Sequence, residues 1–109
     1  MTQIEGNIQE LKPMRCFVPA ANIDALKKAI ESASFATDKV KAAELGLQEI
    51  CIDANQAVEL VKLFSFESDR LTVAKMCYNR MTDKVNATKI LDLFSYSATK
   101  EEYKKFIQY

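Results

Sequence analysis

Chemistry in this 109-residue chain would have to come from three thiols, fifteen carboxylates and a recurring set of cations, because the sequence holds no histidine. That absence removes the commonest general base and the commonest zinc ligand together. Serine–histidine and cysteine–histidine nucleophile pairs go with it. No GxxxxGK[ST] or GxGxxG run is present, so the backbone cradle that phosphate-bearing cofactors need is missing. The carboxylates are scattered, and none forms the ExxH of a di-metal bundle or the DxDxDG of a calcium loop. Several, such as Asp24, Asp38, Asp69 and Glu101, fall in the first turns of predicted helices, where the helix dipole accounts for them. The expectation is a noncatalytic protein with no catalytic residue, no cofactor and no metal.

Cys16, Cys51 and Cys77 are an odd number at wide spacing, which suits neither a disulfide framework nor a CxxC metal knuckle. They read as reduced thiols, with Cys51 and Cys77 as buried filler on apolar stripes and Cys16 as the one thiol to test for reactivity. Fifteen basic residues balance fifteen acidic ones with no segment of one sign, which excludes the electrostatic footprint of a nucleic-acid binder. The first fifteen residues carry glutamates and no apolar run, predicting neither a signal peptide nor a membrane span and hence a cytoplasmic protein.

The elements that would position any site are helices. Two glycines and two prolines are too few turn-formers for a sheet protein. Cap residues Asn22, Thr37, Asp53, Ser68, Asp83 or Asn86, and Thr99 recur at roughly fifteen-residue intervals, each ahead of an apolar run of helical period. Asp53 with Gln56 and Thr99 with Glu102 have the spacing of a reciprocal capping box. Six helices follow, each with one apolar stripe that it cannot hide alone.

The stretch LFSFESDRL (63–71) returns as LFSYSATKE (93–101), and more faintly as SASFATDKV (32–40). Aligning Phe35, Phe66 and Tyr96 places Ser34, Ser65 and Ser95 in one column and Asp38, Asp69 and Thr99 in another, with a period of 31 and then 30. Such a period predicts three stacked α-hairpins whose shared core none could build singly. Phe64, Phe66, Phe94 and Tyr96 should plug the elbows inside the hairpins, Ser65 and Ser95 satisfying backbone groups there. The domain spans 19–109, with an N-terminal extension over 1–18. In that extension Ile4, Ile8 and Leu11 are spaced for a short helix ending at Pro13, the alternative being an unanchored leader, and MRCFVPA reads as extended.

Four positions after each elbow aromatic stands Lys39, Arg70 or Lys100. Cations in a first turn oppose the dipole of their own helix, so their recurrence needs a reason. Either they form a ladder facing an acidic or phosphorylated partner, or each long stem lies over an elbow ring. Met76 and Val73, with Leu45 and Leu63, sit beside the main stripes and form either a partner groove or the wider apolar arc of a sandwiched helix.

LFSFESDRLTVAKMCYNRMTD resembles the elbow and following helix of domain-of-unknown-function family 4476, found in bacterial proteins and in a proline- and serine-rich animal protein. FATDKVKAAELGLQ and ANQAVELVKLF match the same pattern, so that the resemblance runs from about Phe17 to the C-terminus. It implies an all-helical domain without enzymatic activity that serves in interactions. Taken together, the sequence predicts an all-α interaction module binding a protein or peptide, with Lys39, Arg70, Lys100 and Met76 as candidate contacts. The alternative is a small-molecule or lipid carrier with an apolar cavity between hairpins.

Overall fold

A computed structural model describes residues 16–108. Five α-helices and one 3-10 helix follow one another in this span: α1 (Asp24–Ser32), α2 (Ala36–Leu47), α3 (Ala54–Val61), α4 (Glu67–Asn79), the 3-10 helix (Lys84–Leu93) and α5 (Ser97–Gln108). The protein is all-α. Its first fifteen residues, with the predicted extra helix, lie outside the described residues.

Successive helices pack on one another: α1 on α2, α3 on α4, and the 3-10 helix on α5. Side by side, α4 lies between α2 and α5, while α3 lies against the 3-10 helix. This arrangement is compatible with three adjoining hairpins. Its core is one continuous cluster running from Ile23 and Ile30 through Ile52, Leu60, Phe64 and Val73 to Ile90, Phe94 and Tyr103. Ala43, Ala54, Ala57, Ala74 and Ala87 are all fully buried, and these short side chains let the helix axes approach closely.

The fifth helix is a ten-residue 3-10 helix where an α-helix was expected. Three residues per turn bring Ala87 and Ile90 onto one buried face, an arrangement that 3.6 residues per turn would stagger. Between the pairs, the connecting segments run alongside each other. Ala20 N–H donates to Cys51 O at 2.8 Å, Ile52 N–H to Arg80 O at 2.9 Å and Thr82 N–H to Ile52 O at 2.8 Å. Among the described residues the only β pairing is the isolated parallel bridge between Ile52 and Met81.

The helix starts correct part of the sequence reading. Asp53 does cap α3: its side chain accepts from Gln56 N–H at 2.8 Å and Gln56 Oε1 accepts from Asp53 N–H at 3.0 Å. Asn22 Oδ1 accepts from Asp24 N–H at 3.2 Å at the start of α1. Thr37, Ser68 and Thr99, however, lie inside helices that begin directly after the elbow aromatics, with Phe35 and Phe66 at the N-cap positions. The predicted box of Thr99 and Glu102 does not form, since Glu102 is instead held by Lys75 at 2.9 Å. Local cap preference loses here because a neighbouring helix supplies the acceptor for α5.

Candidate interaction surface at the elbows

Each elbow joins the first helix of a pair to the second, and there is room beneath it for one ring. Phe64 and Phe94 take that room and are buried, Phe94 meeting Tyr103 edge to face at 5.6 Å. In the first elbow the equivalent residue is Ala33. In the second and third elbows the next aromatic along is displaced outward by the ring already there, and in the first Phe35 stands outward as well. Phe35, Phe66 and Tyr96 are 68%, 60% and 64% exposed, one per elbow, at the positions the repeated phrase places in register. This overturns the expectation that Phe66 and Tyr96 plug the elbows. Their backbone is extended at the N-cap, as at Phe35 (φ −114°, ψ 151°) and Phe66 (φ −90°, ψ 139°), and it turns the ring away from the seam that Phe64 or Phe94 already fills.

The cations beside these rings have a structural task. Lys39 Nζ reaches back to Ile30 O at 3.1 Å and Glu31 O at 3.3 Å, the closing carbonyls of α1. Arg70 Nε donates to Phe64 O at 2.7 Å and Nη1 to Leu93 O at 2.8 Å, joining the second elbow to the third. A cation that opposes the dipole of its own helix thus satisfies the negative end of the preceding one. Lys100 N–H donates to Tyr96 O at 3.1 Å, but its side chain makes no hydrogen bond among the described residues. Met76 is half-buried against the core and Val73 is fully buried, so the fourth helix carries the wide apolar arc of an element with neighbours on both sides. Leu45 is 59% exposed, whereas Leu63 packs on the core.

Glu67 went unnoticed in the sequence. Its carboxylate accepts from Ser95 N–H at 2.9 Å and Tyr96 N–H at 3.0 Å, so that α4 caps the start of α5. Loss of water around this carboxyl pushes its pKa up, but the N–H groups of Tyr96 and Ser95, the Thr99 hydroxyl and the Arg70 charge outweigh that and hold it below the usual value. Ser95 serves the elbow through its N–H, where a hydroxyl contact was expected. One signal was available: the columns of the repeat read Ala36, Glu67, Ser97, and the odd member is the one that reaches across.

The thiols are not all reduced. Cys16 and Cys51 form a disulfide, which corrects both the expected reactive Cys16 and the expected buried filler at Cys51. The pairing follows from the segment before α1 folding back along the linker after α2, a long-range placement that the spacing of cysteines does not reveal. Cys77 is a free, fully buried thiol, and burial pushes its pKa up to about 12, which leaves it inert.

A cleft of about 560 Å³ lies along α1 and α2 on the first helix pair, with an almost wholly apolar wall that includes Ile23, Leu26, Leu45 and Ile50. A Cβ at Gly46 would overlap Leu26 Cδ1, so the glycine leaves room for the Leu26 side chain in the cleft wall. Among the described residues no group of three or more histidine, cysteine, aspartate or glutamate side chains could hold a metal ion. None of their helices is long and apolar enough to cross a membrane.

No curated protein and no solved structure matches the chain. The family described as Domain of unknown function (DUF4476) matches residues 19–107, which takes in the helices described above except for the last residue of α5. The chain belongs to that family.

Proposed function

We propose that this protein is a noncatalytic interaction module, built as an array of three helix pairs, whose contact surface is the elbow edge carrying Phe35, Phe66 and Tyr96. One observation carries the reading: three large rings, Phe35, Phe66 and Tyr96, one per pair, stand in solvent at equivalent positions, although in two of the pairs Phe64 and Phe94 beside them are buried. Exposed aromatics contribute nothing to the core, and aromatic side chains are the ones that dominate binding energy at protein interfaces. Lys39 and Arg70 act here as positioning residues that fix the elbows. An acidic group on a protein or peptide partner is met by Lys100, the member of the column whose side chain makes no hydrogen bond among the described residues, and Met76 contributes only its half-exposed edge.

Replacing Phe35, Phe66 and Tyr96 together by serine tests the reading. Unfolding stability should move by less than about 0.5 kcal/mol per site, as is usual for exposed positions, while partners enriched by the native protein are lost. Retention of every partner by the triple variant sinks it.

The cleft on α1 and α2 favours a second reading, a carrier of a small apolar molecule, although this cleft lies within one pair and not between pairs. Native mass spectrometry of freshly purified protein separates the two, because a carrier retains its ligand. As for location, the Cys16–Cys51 disulfide favours an oxidising compartment over the cytoplasm expected from the sequence, since cytosolic thiols are kept reduced.

A further inference from the structure

The disulfide closes a loop of 35 residues that contains α1 and α2 and nothing else helical. It ties the segment 16–23 to the linker 48–53. The same two segments form one end of the apolar cleft, through Asn22 and Ile23 from the first and Glu49 and Ile50 from the second. Apart from the disulfide, the contacts of segment 16–23 among the described residues centre on Ala20, which packs against the core, and on Ile23. Ala20 N–H donates to Cys51 O, Gln56 Nε2 donates to Ala20 O at 2.8 Å, and Ile23 is buried. Before Ala20, Phe17 and Val18 are each 77% exposed and add little burial. Helix α1 itself packs mainly on α2 and adds Ile30 to the shared core, and among the described residues an exposed ion pair, Lys27 to Glu59 at 3.0 Å, joins it to α3. Both disulfide cysteines are only half-buried, within reach of an attacking thiolate.

We propose that the Cys16–Cys51 disulfide is a reversible latch on the first helix pair: oxidised, it holds the N-terminal segment and α1 in place and keeps the apolar cleft formed; reduced, it releases them while α3 to α5 stay folded. The reductant is a dithiol. One of its thiolates attacks a sulfur of the pair and expels the other cysteine as a thiolate. Its second thiol then resolves the mixed disulfide, leaving two protein thiols and an oxidised reductant, with two electrons and two protons transferred. Cys77 takes no part in the exchange, because no thiolate can reach it in the core. Release stays local because α3, α4, the 3-10 helix and α5 supply most of the continuous core, from Ile52 and Leu60 to Ile90 and Tyr103, and are cross-linked through Arg70, Glu67 and Tyr103.

Hydrogen exchange on the full chain tests the latch in three forms: oxidised, reduced with a small dithiol, and Cys16→Ser/Cys51→Ser. The expected result is exchange at least about tenfold faster over residues 20–32 in both forms lacking the bond, unchanged protection in α4 and α5, and recovery when the reduced protein is reoxidised. Equal protection in all forms overturns the proposal, as does a loss that spreads evenly through the chain. Should the serine variant fail to fold while the reduced native chain keeps its α4 and α5 protection, the reduced chain decides between the same outcomes.

Discussion

At the N-terminal end, α1 leans on α2, is joined to α3 by one exposed ion pair, and is enclosed by a disulfide. At the C-terminal end, α5 and the 3-10 helix have no covalent tie, yet they are laced to their neighbours throughout. Tyr103 OH donates to Ala87 O at 3.0 Å, Tyr78 OH to Ile107 O at 3.2 Å, Arg70 reaches Leu93 O, and Glu67 caps α5. Both face the same difficulty, since among the described residues each of these pairs has a neighbouring pair on one side only. The C-terminal pair answers it with buried rings and polar side chains directed at backbone groups. The N-terminal pair offers Ala33 where the others have phenylalanine, and an open cleft where the others have core, so a cross-link takes over. In the chain-entropy picture, closing a loop of 35 residues contributes on the order of 3–4 kcal/mol. That is about what a well-packed buried ring contributes.

This contrast can be broken at its strongest point first. Tyr103→Ala should cost about 3–5 kcal/mol, because it empties a fully buried site between α5 and the 3-10 helix and strips Ala87 O of its donor. Tyr103→Phe, which removes only that hydrogen bond, should cost about 1 kcal/mol. Urea unfolding of the pair measures both, and similar losses for the two would show that the ring is not what holds the third pair.

A smaller effect separates the cations. Arg70→Met leaves Phe64 O and Leu93 O without a donor across two elbows, and about 1–2 kcal/mol is expected for two half-buried carbonyls. Lys39→Met loses contacts within the first pair alone and should cost about half as much or less. Equal costs in urea would erase the distinction between a cross-link between pairs and a local helix cap.

The smallest effect follows from Glu67, and it concerns acid. Its folded pKa lies below the ordinary 4.5, so the stability it contributes is present in full above that value and is lost as pH falls through the lowered one. Glu67→Gln should therefore lower the unfolding midpoint slightly at neutral pH, where that contribution is present in full, and flatten the acid limb below about pH 4.5 so that variant and native protein converge in acid. Identical acid limbs for variant and native protein would remove Glu67 from the linkage between the second and third pairs.

What the chain made legible was periodicity. The helical stripes, the Asp53–Gln56 box and the 31- and 30-residue offsets all follow from short-range spacing, because helix period and cap geometry are properties of a few consecutive residues. The repeated phrase also located the elbows. It did not say which of two aromatics two residues apart would face inward, since that depends on whether Phe64 or Phe66 first reaches the single space between helices. The cation column was visible and its purpose was not, because the carbonyls that bind Lys39 and Arg70 belong to helices brought near only by the fold. The partner of Cys16 was hidden for the same reason: nothing local to residue 16 says that a segment will return along residue 51. Sequence by itself determined the helices and the places where the repeated phrase falls, all short-range properties. Tertiary structure decided which rings face water, which charges are spent on backbone and which thiols join, because each of these depends on groups that approach one another only once the helices have stacked.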